Sequence, residues 1–116
     1  MRAIQKLRPE SGFEFTENAA QPPIGPNGVL IKVAMAGICG TDLHITQWDK
    51  WSASRINPPL IYGHEFCGFV EAVGENCKKF QQGDYVTAEM HLPCGECVSC
   101  LENQPHICKN LKIAGV

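Results

Sequence analysis

Four of this chain's seven cysteines fall in one short stretch, Cys94, Cys97, Cys100 and Cys108, spaced C-x2-C-x2-C-x7-C. Four thiolates that close together can fill the coordination shell of a tetrahedral metal ion without help from the rest of the chain. A closed set of four cysteines is how structural zinc is held, whereas catalytic zinc keeps one position open for water or substrate. The stretch therefore predicts a lobe folded around a structural zinc ion, and it directs the search for chemistry elsewhere.

Three competing readings of the cluster are weaker. A disulfide framework needs an oxidising compartment, and Met1-Arg2-Ala3-Ile4-Gln5-Lys6 lacks the apolar core of a signal peptide. Bacterial ferredoxins also use C-x2-C-x2-C, but they continue x3-C-Pro; here seven residues separate Cys100 from Cys108, and Lys109 follows. Four unpaired buried thiols would suit an apolar segment, whereas Gly95, Glu96, Ser99, Glu102 and Asn103 make this one a polar surface loop.

A chain of 116 residues forms one domain at most, with a modest core. The formal net charge of −2 and the scattered lysines and arginines argue against a nucleic-acid surface or a polybasic membrane patch. No apolar run approaches the roughly 20 residues a spanning helix needs. The expected setting is soluble and cytoplasmic, with reduced cysteines.

Strand signals dominate. Residues 2–8 and 12–16 read as two short strands meeting at Pro9-Glu10-Ser11-Gly12. Val29, Ile31, Val33 and Met35 alternate with Leu30, Lys32, Ala34 and Ala36, predicting a strand with at least one buried face. Further strands are expected at 69–73 and 84–89, each bounded by glycine turns. Helical signal is confined to Thr41–Trp51 and one turn near Val98–Asn103. Short strands at this density predict a mainly β barrel or sandwich. The ending, Lys112-Ile113-Ala114-Gly115-Val116, carries no stop signal, so the chain is expected to continue into a longer protein.

A second constellation follows the strongest strand. In Gly37-Ile38-Cys39-Gly40-Thr41-Asp42-Leu43-His44, the flanking glycines allow a sharp turn that exposes the thiol. Gly63-His64-Glu65-Phe66 follows the turn at Asn57-Pro58-Pro59. On spacing alone, a cysteine near a histidine is more often a buried thiol and a hydrogen-bonded imidazole. Taken together, Cys39, His64 and Glu65 supply S, N and O donors, a mixed set that suits an open zinc site. Asp42 has two available roles, accepting the far N–H of a ligating His64 or capping the following helical turn.

These motifs stand in a familiar order. Cys39-Gly40-Thr41-Asp42-x-His44, Gly63-His64-Glu65, Gly83-Asp84-x-Val86 and the Cys94–Cys108 lobe together resemble the zinc-dependent medium-chain alcohol dehydrogenases. Trp48-Asp49-Lys50-Trp51 and His106-Ile107-Cys108-Lys109-Asn110 narrow the resemblance to the threonine-oxidising branch of that family. Thr46 departs from that branch, where a tyrosine is common, and Leu92-Pro93 replace a more polar pair.

The resemblance implies that residues 1–116 are the N-terminal part of a GroES-like catalytic barrel, incomplete as it stands, with the zinc lobe at about 90–110. A Rossmann domain binding NAD would lie outside this chain, which contains no G-x-G-x-x-G. Cys39 and His64 would bind the catalytic zinc, with Glu65 a ligand or exchangeable near-ligand. Thr41 would hydrogen-bond the substrate alcohol and His44 would pass its proton to solvent. L-Threonine would be oxidised to 2-amino-3-oxobutanoate with hydride passing to NAD, in a homotetramer. The chain alone would be inactive, holding the structural metal tightly and the catalytic one weakly or not at all.

Cys67 and Cys77 match no ligand role and are expected to act as small apolar residues; His91 and His106 flank a lobe whose four cysteines leave no vacancy. A polyol or diol is the rival substrate. A free-standing zinc module that reads nucleic acid is disfavoured by the ligand spacing and the acidic balance, and a co-chaperonin-like barrel needs no metal lobe.

Overall fold

In the computed structural model, which describes residues 1–116, β1 (Ala3–Lys6) and β2 (Glu14–Thr16) form the antiparallel hairpin expected around Pro9–Gly12, with Ala3 opposite Thr16. β3 (Val29–Ala36) covers the alternating segment in full. Two helices follow where one was expected. α1 (Gly40–Gln47) ends at Trp48, whose left-handed backbone (φ 55°) turns the chain, and Asp49 then caps α2 (Lys50–Arg55). β4 (Leu60–Ile61), β5 (Phe66–Val73), β6 (Tyr85–Thr87), β7 (His91–Leu92), α3 (Val98–Leu101), a 3-10 turn at Pro105–Ile107 and β8 (Lys112–Ile113) complete the chain.

The strands form three small sheets, ordered β2-β1-β4, β3-β5-β6 and β7-β8. The longest pairing, β3 against β5, runs from Val29 opposite Val73 to Ala36 opposite Phe66, with register shifts after Leu30 and Val33. Gly68 sits opposite Val33, where a Cβ would lie 2.2 Å from the Lys32 carbonyl oxygen, so only glycine allows this approach. The 93–111 loop leaves β7 and returns as β8, so its base is closed by a two-stranded ribbon.

The core is thin. Ile45 from α1, Ile56 after α2 and Val70 from β5 are its buried aliphatic side chains. The expectation of a buried face on β3 is not met: Val33 is 53% and Met35 67% exposed, because no element of this chain packs across that surface. Residues 1–116 thus form an open, mainly β unit with no Rossmann alternation of strand and helix. No helix is long and apolar enough to cross a membrane.

A polar clamp ties the hairpin to α1. Lys6, at the end of β1, is 1% exposed, and its ammonium donates to the carbonyls of Glu10 (2.5 Å), Gly12 (2.6 Å) and Thr46 (3.3 Å). All three of its protons are therefore used. The Gly12 N–H also donates to the Thr46 carbonyl at 2.8 Å, and the Trp48 ring lies 5.2 Å from the lysine nitrogen. Thr46, the departure noted above, shares a 2.9 Å hydrogen bond with the Tyr62 hydroxyl and so fastens α1 to the exit of β4.

Candidate metal centres

Cys39 follows β3 and is the residue from which α1 starts. His64 and Glu65 lie in the turn between β4 and β5, where Gly63 takes a φ of 120° that other residues rarely adopt. The β3–β5 pairing draws these two ends together, and the Gly37 N–H donates to the Glu65 carbonyl at 2.8 Å. One donor atom each from Cys39, His64 and Glu65 lies within 4.8 Å of the others. Ligands at zinc distances of about 2.0–2.3 Å sit about 3–4 Å apart, so the three fit one ion with modest adjustment.

Asp42 fills the capping role and faces His64 without reaching hydrogen-bond distance. Its Oδ2 accepts the Cys39 N–H at 2.8 Å, which fixes the start of α1, and its Oδ1 lies 3.7 Å from His64 Nδ1. Both residues are buried, and Asp42 Oδ1 and His64 Nδ1 have no hydrogen-bond partner. A carboxylate and an imidazole buried together this way match the arrangement that orients a metal-binding histidine. Thr41 Oγ1 lies 3.8 Å from Cys39 Sγ, and His44 follows one turn further along α1. Glu65, Phe66 and Tyr62 line an open cleft of about 430 Å³ beside the group.

The four lobe cysteines converge on one point. Sγ atoms are 3.5 Å apart for Cys97–Cys100 and Cys94–Cys108, and 3.8 Å for Cys97–Cys108. These separations are far too long for disulfides, at about 2 Å, and close to the roughly 3.8 Å edge of a zinc–thiolate tetrahedron. The N–H groups of Glu96 and Cys97 pull the Cys94 thiol down to about 6. The Cys100 N–H lowers Cys97 as well, while burial pushes Cys100 up to about 12. Four sulfurs this close, one of them already a thiolate near neutral pH, could hold a metal ion between them.

Other cysteines and histidines stand apart from both groups. Cys67 Sγ accepts a hydrogen bond from the Tyr85 hydroxyl at 3.1 Å, and Cys77 joins neither group. His91 Nδ1 lies 2.6 Å from Glu89 Oε1; both residues line, with His106, a cleft beside the lobe. Trp48 and Trp51 belong to different turns, Trp48 over Lys6 and Trp51 beside His44 at 5.9 Å between ring centres. Two polar features escaped the sequence reading, the Lys6 clamp and a 2.5 Å contact between His44 Nδ1 and Asp49 Oδ2. The second had a legible sign in Asp49-x-x-Ser52, an N-cap spacing.

The L-threonine 3-dehydrogenases of Thermococcus kodakarensis and Bacillus subtilis are each 49% identical to this chain over all 116 residues, which amount to 33% of either relative. This chain therefore spans about a third of the length of those relatives. An alcohol dehydrogenase from Thermus sp. ATN1 superposes with a TM-score of 0.80 at 35% identity, over 99% of this chain and 32% of the other. Residues 25–116, which include both cysteine groups and α1, match the alcohol dehydrogenase GroES-like domain, and this chain belongs to that family.

Proposed function

We propose that this chain is the N-terminal catalytic portion, 1–116 with its zinc lobe at about 90–110, of an NAD-dependent L-threonine 3-dehydrogenase. The observation that carries the proposal is the convergence of Cys39, His64 and Glu65 within 4.8 Å, beside a helix bearing Thr41 and His44. The 49% identity to threonine dehydrogenases over the whole chain supports threonine as substrate.

In this reading Cys39 and His64 would hold the catalytic zinc, with Glu65 as third or exchangeable ligand, and Cys94, Cys97, Cys100 and Cys108 would hold a structural one. Zinc at the first site supplies a Lewis acid that makes the substrate hydroxyl easier to deprotonate. With His64 Nδ1 turned towards Asp42, Nε2 is the nitrogen left for the metal. The Thr41 hydroxyl both accepts and donates, so it can take the alcohol proton and release its own into a relay that ends at His44. His44, half exposed, returns that proton to water. NAD, which residues outside this chain would bind, would supply the hydride acceptor, and the product would be 2-amino-3-oxobutanoate.

The test is an assay of the longer protein carrying this chain, with zinc and NAD, against threonine, sorbitol and butanediol. NAD reduction fastest with threonine is expected, and none with the 116-residue chain alone. Preference for sorbitol or butanediol reassigns the substrate, and failure with all three removes the dehydrogenase reading.

A further inference from the structure

The Trp48-Asp49-Lys50-Trp51 element touches neither metal group, yet two of its side chains bear on His44. Asp49 caps α2, its Oδ1 accepting the Ser52 N–H at 2.9 Å, while Oδ2 lies 2.5 Å from His44 Nδ1. The Trp51 ring, tilted at 53°, stands 5.9 Å from the histidine ring, and Arg55 backs Trp51 at 5.6 Å. An ionised carboxylate can only accept hydrogen bonds. The proton between the two residues therefore sits on His44 Nδ1, and in the neutral ring the lone pair falls on Nε2. The Ser52 N–H and His44 both hold the Asp49 carboxyl below its usual range, so it remains an acceptor.

We propose that Asp49, aided by Trp51, is a positioning residue that locks His44 as the Nδ1–H tautomer, leaving Nε2 to receive the proton that leaves the substrate through Thr41. This rests on the proton path proposed above. The alcohol proton passes to Thr41 Oγ1, and the proton that Thr41 gives up is relayed to His44 Nε2. The imidazolium so formed keeps its Nδ1–H on Asp49 until Nε2 gives its proton to water. Without that lock the neutral ring is free to carry its proton on Nε2, where it can accept nothing.

Asp49→Asn separates this role from simple capping. Asparagine is as good an N-cap as aspartate, so its oxygen keeps the Ser52 N–H and α2 stays formed. The group then facing His44 is an NH2 donor, which needs Nδ1 as acceptor and drives the ring proton to Nε2. Asp49→Ser also keeps a cap but removes the partner altogether. The experiment pairs 15N NMR of histidine-labelled, zinc-loaded longer protein at alkaline pH, assigned with His44→Asn, with steady-state kinetics on threonine. Expected are an Nδ1–H signature in the unmodified protein and Nε2–H in Asp49→Asn. That variant's kcat should fall on the order of 10- to 100-fold, with little change in KM or thermal midpoint. An Nε2–H ring in the unmodified protein, or an unaltered kcat in both Asp49 variants, overturns the proposal. If the unmodified protein oxidises no alcohol, the functional reading fails, and the tautomer arm still decides whether Asp49 sets the ring.

Discussion

At the scale of single residues, Lys6 and Asp42 do more for this site than their positions in the sequence suggest. Lys6 stands on β1, far along the chain from Cys39, yet it binds the last turn of the helix that begins there. Burial pushes its ammonium below the ordinary lysine value, with the Glu10 charge acting in the opposite direction. Lys6→Met preserves the stem but strips the carbonyls of Glu10, Gly12 and Thr46 of their charged donor. Charge-assisted hydrogen bonds contribute about 1.5–3 kcal/mol, so the variant is expected to lose about 2–3 kcal/mol, read as a lower urea midpoint. Lys6→Arg should not rescue it, because a planar fork cannot meet three carbonyls converging on one point. An unchanged midpoint in Lys6→Met would mean that the clamp adds nothing. Asp42 couples two donors of the candidate zinc site from one carboxylate, fixing the Cys39 backbone with one oxygen and facing His64 with the other.

Among the elements, the lobe between β7 and β8 is the most self-contained, and its thiols make its chemistry measurable. Cys94, held at about 6, is already a thiolate near neutral pH, whereas Cys100, held up to about 12, must lose its proton to bind a metal. Zinc loading near pH 7.5 is therefore expected to release protons, but fewer than there are sulfurs, and affinity should fall as the solution is acidified. Calorimetry in buffers of different ionisation heat reads that number, and release of one proton per sulfur would contradict the depressed Cys94. The lobe was legible because its ligand types and spacing are local, as was β3, whose alternation spans eight residues. The two-residue strands β4, β7 and β8 left no period to read, and they exist only through distant partners such as Lys6 opposite Leu60 and His91 opposite Ile113. The break between α1 and α2 was hidden too, because a tryptophan in left-handed backbone is a tertiary outcome rather than a propensity. The His44–Asp49 contact depends on that break, since five residues apart is no shared face of a continuous helix.

Across the whole molecule, the two candidate metal groups differ in how much of the fold each needs. All four lobe thiols come from one loop whose ends are paired as β7 and β8, so the lobe can close around an ion by itself. The Cys39, His64 and Glu65 group joins the start of α1 to the turn before β5, and its geometry depends on the β3–β5 sheet. That sheet leaves Val33, Met35 and Phe69 uncovered, and Glu65 itself is exposed. Few buried apolar contacts mean low local stability, and three donors with one exposed hold an ion less firmly than four closed thiolates. After dialysis against a weak chelator, the 116-residue chain is therefore expected to keep one zinc equivalent, lost in Cys100→Ser but not in Cys39→Ser. In the longer protein proposed here, with further residues covering the sheet, a second equivalent should be retained and should disappear in Cys39→Ser. Metal analysis of the five samples decides the matter. Two equivalents held firmly by the short chain would mean that the open site is organised within these 116 residues after all.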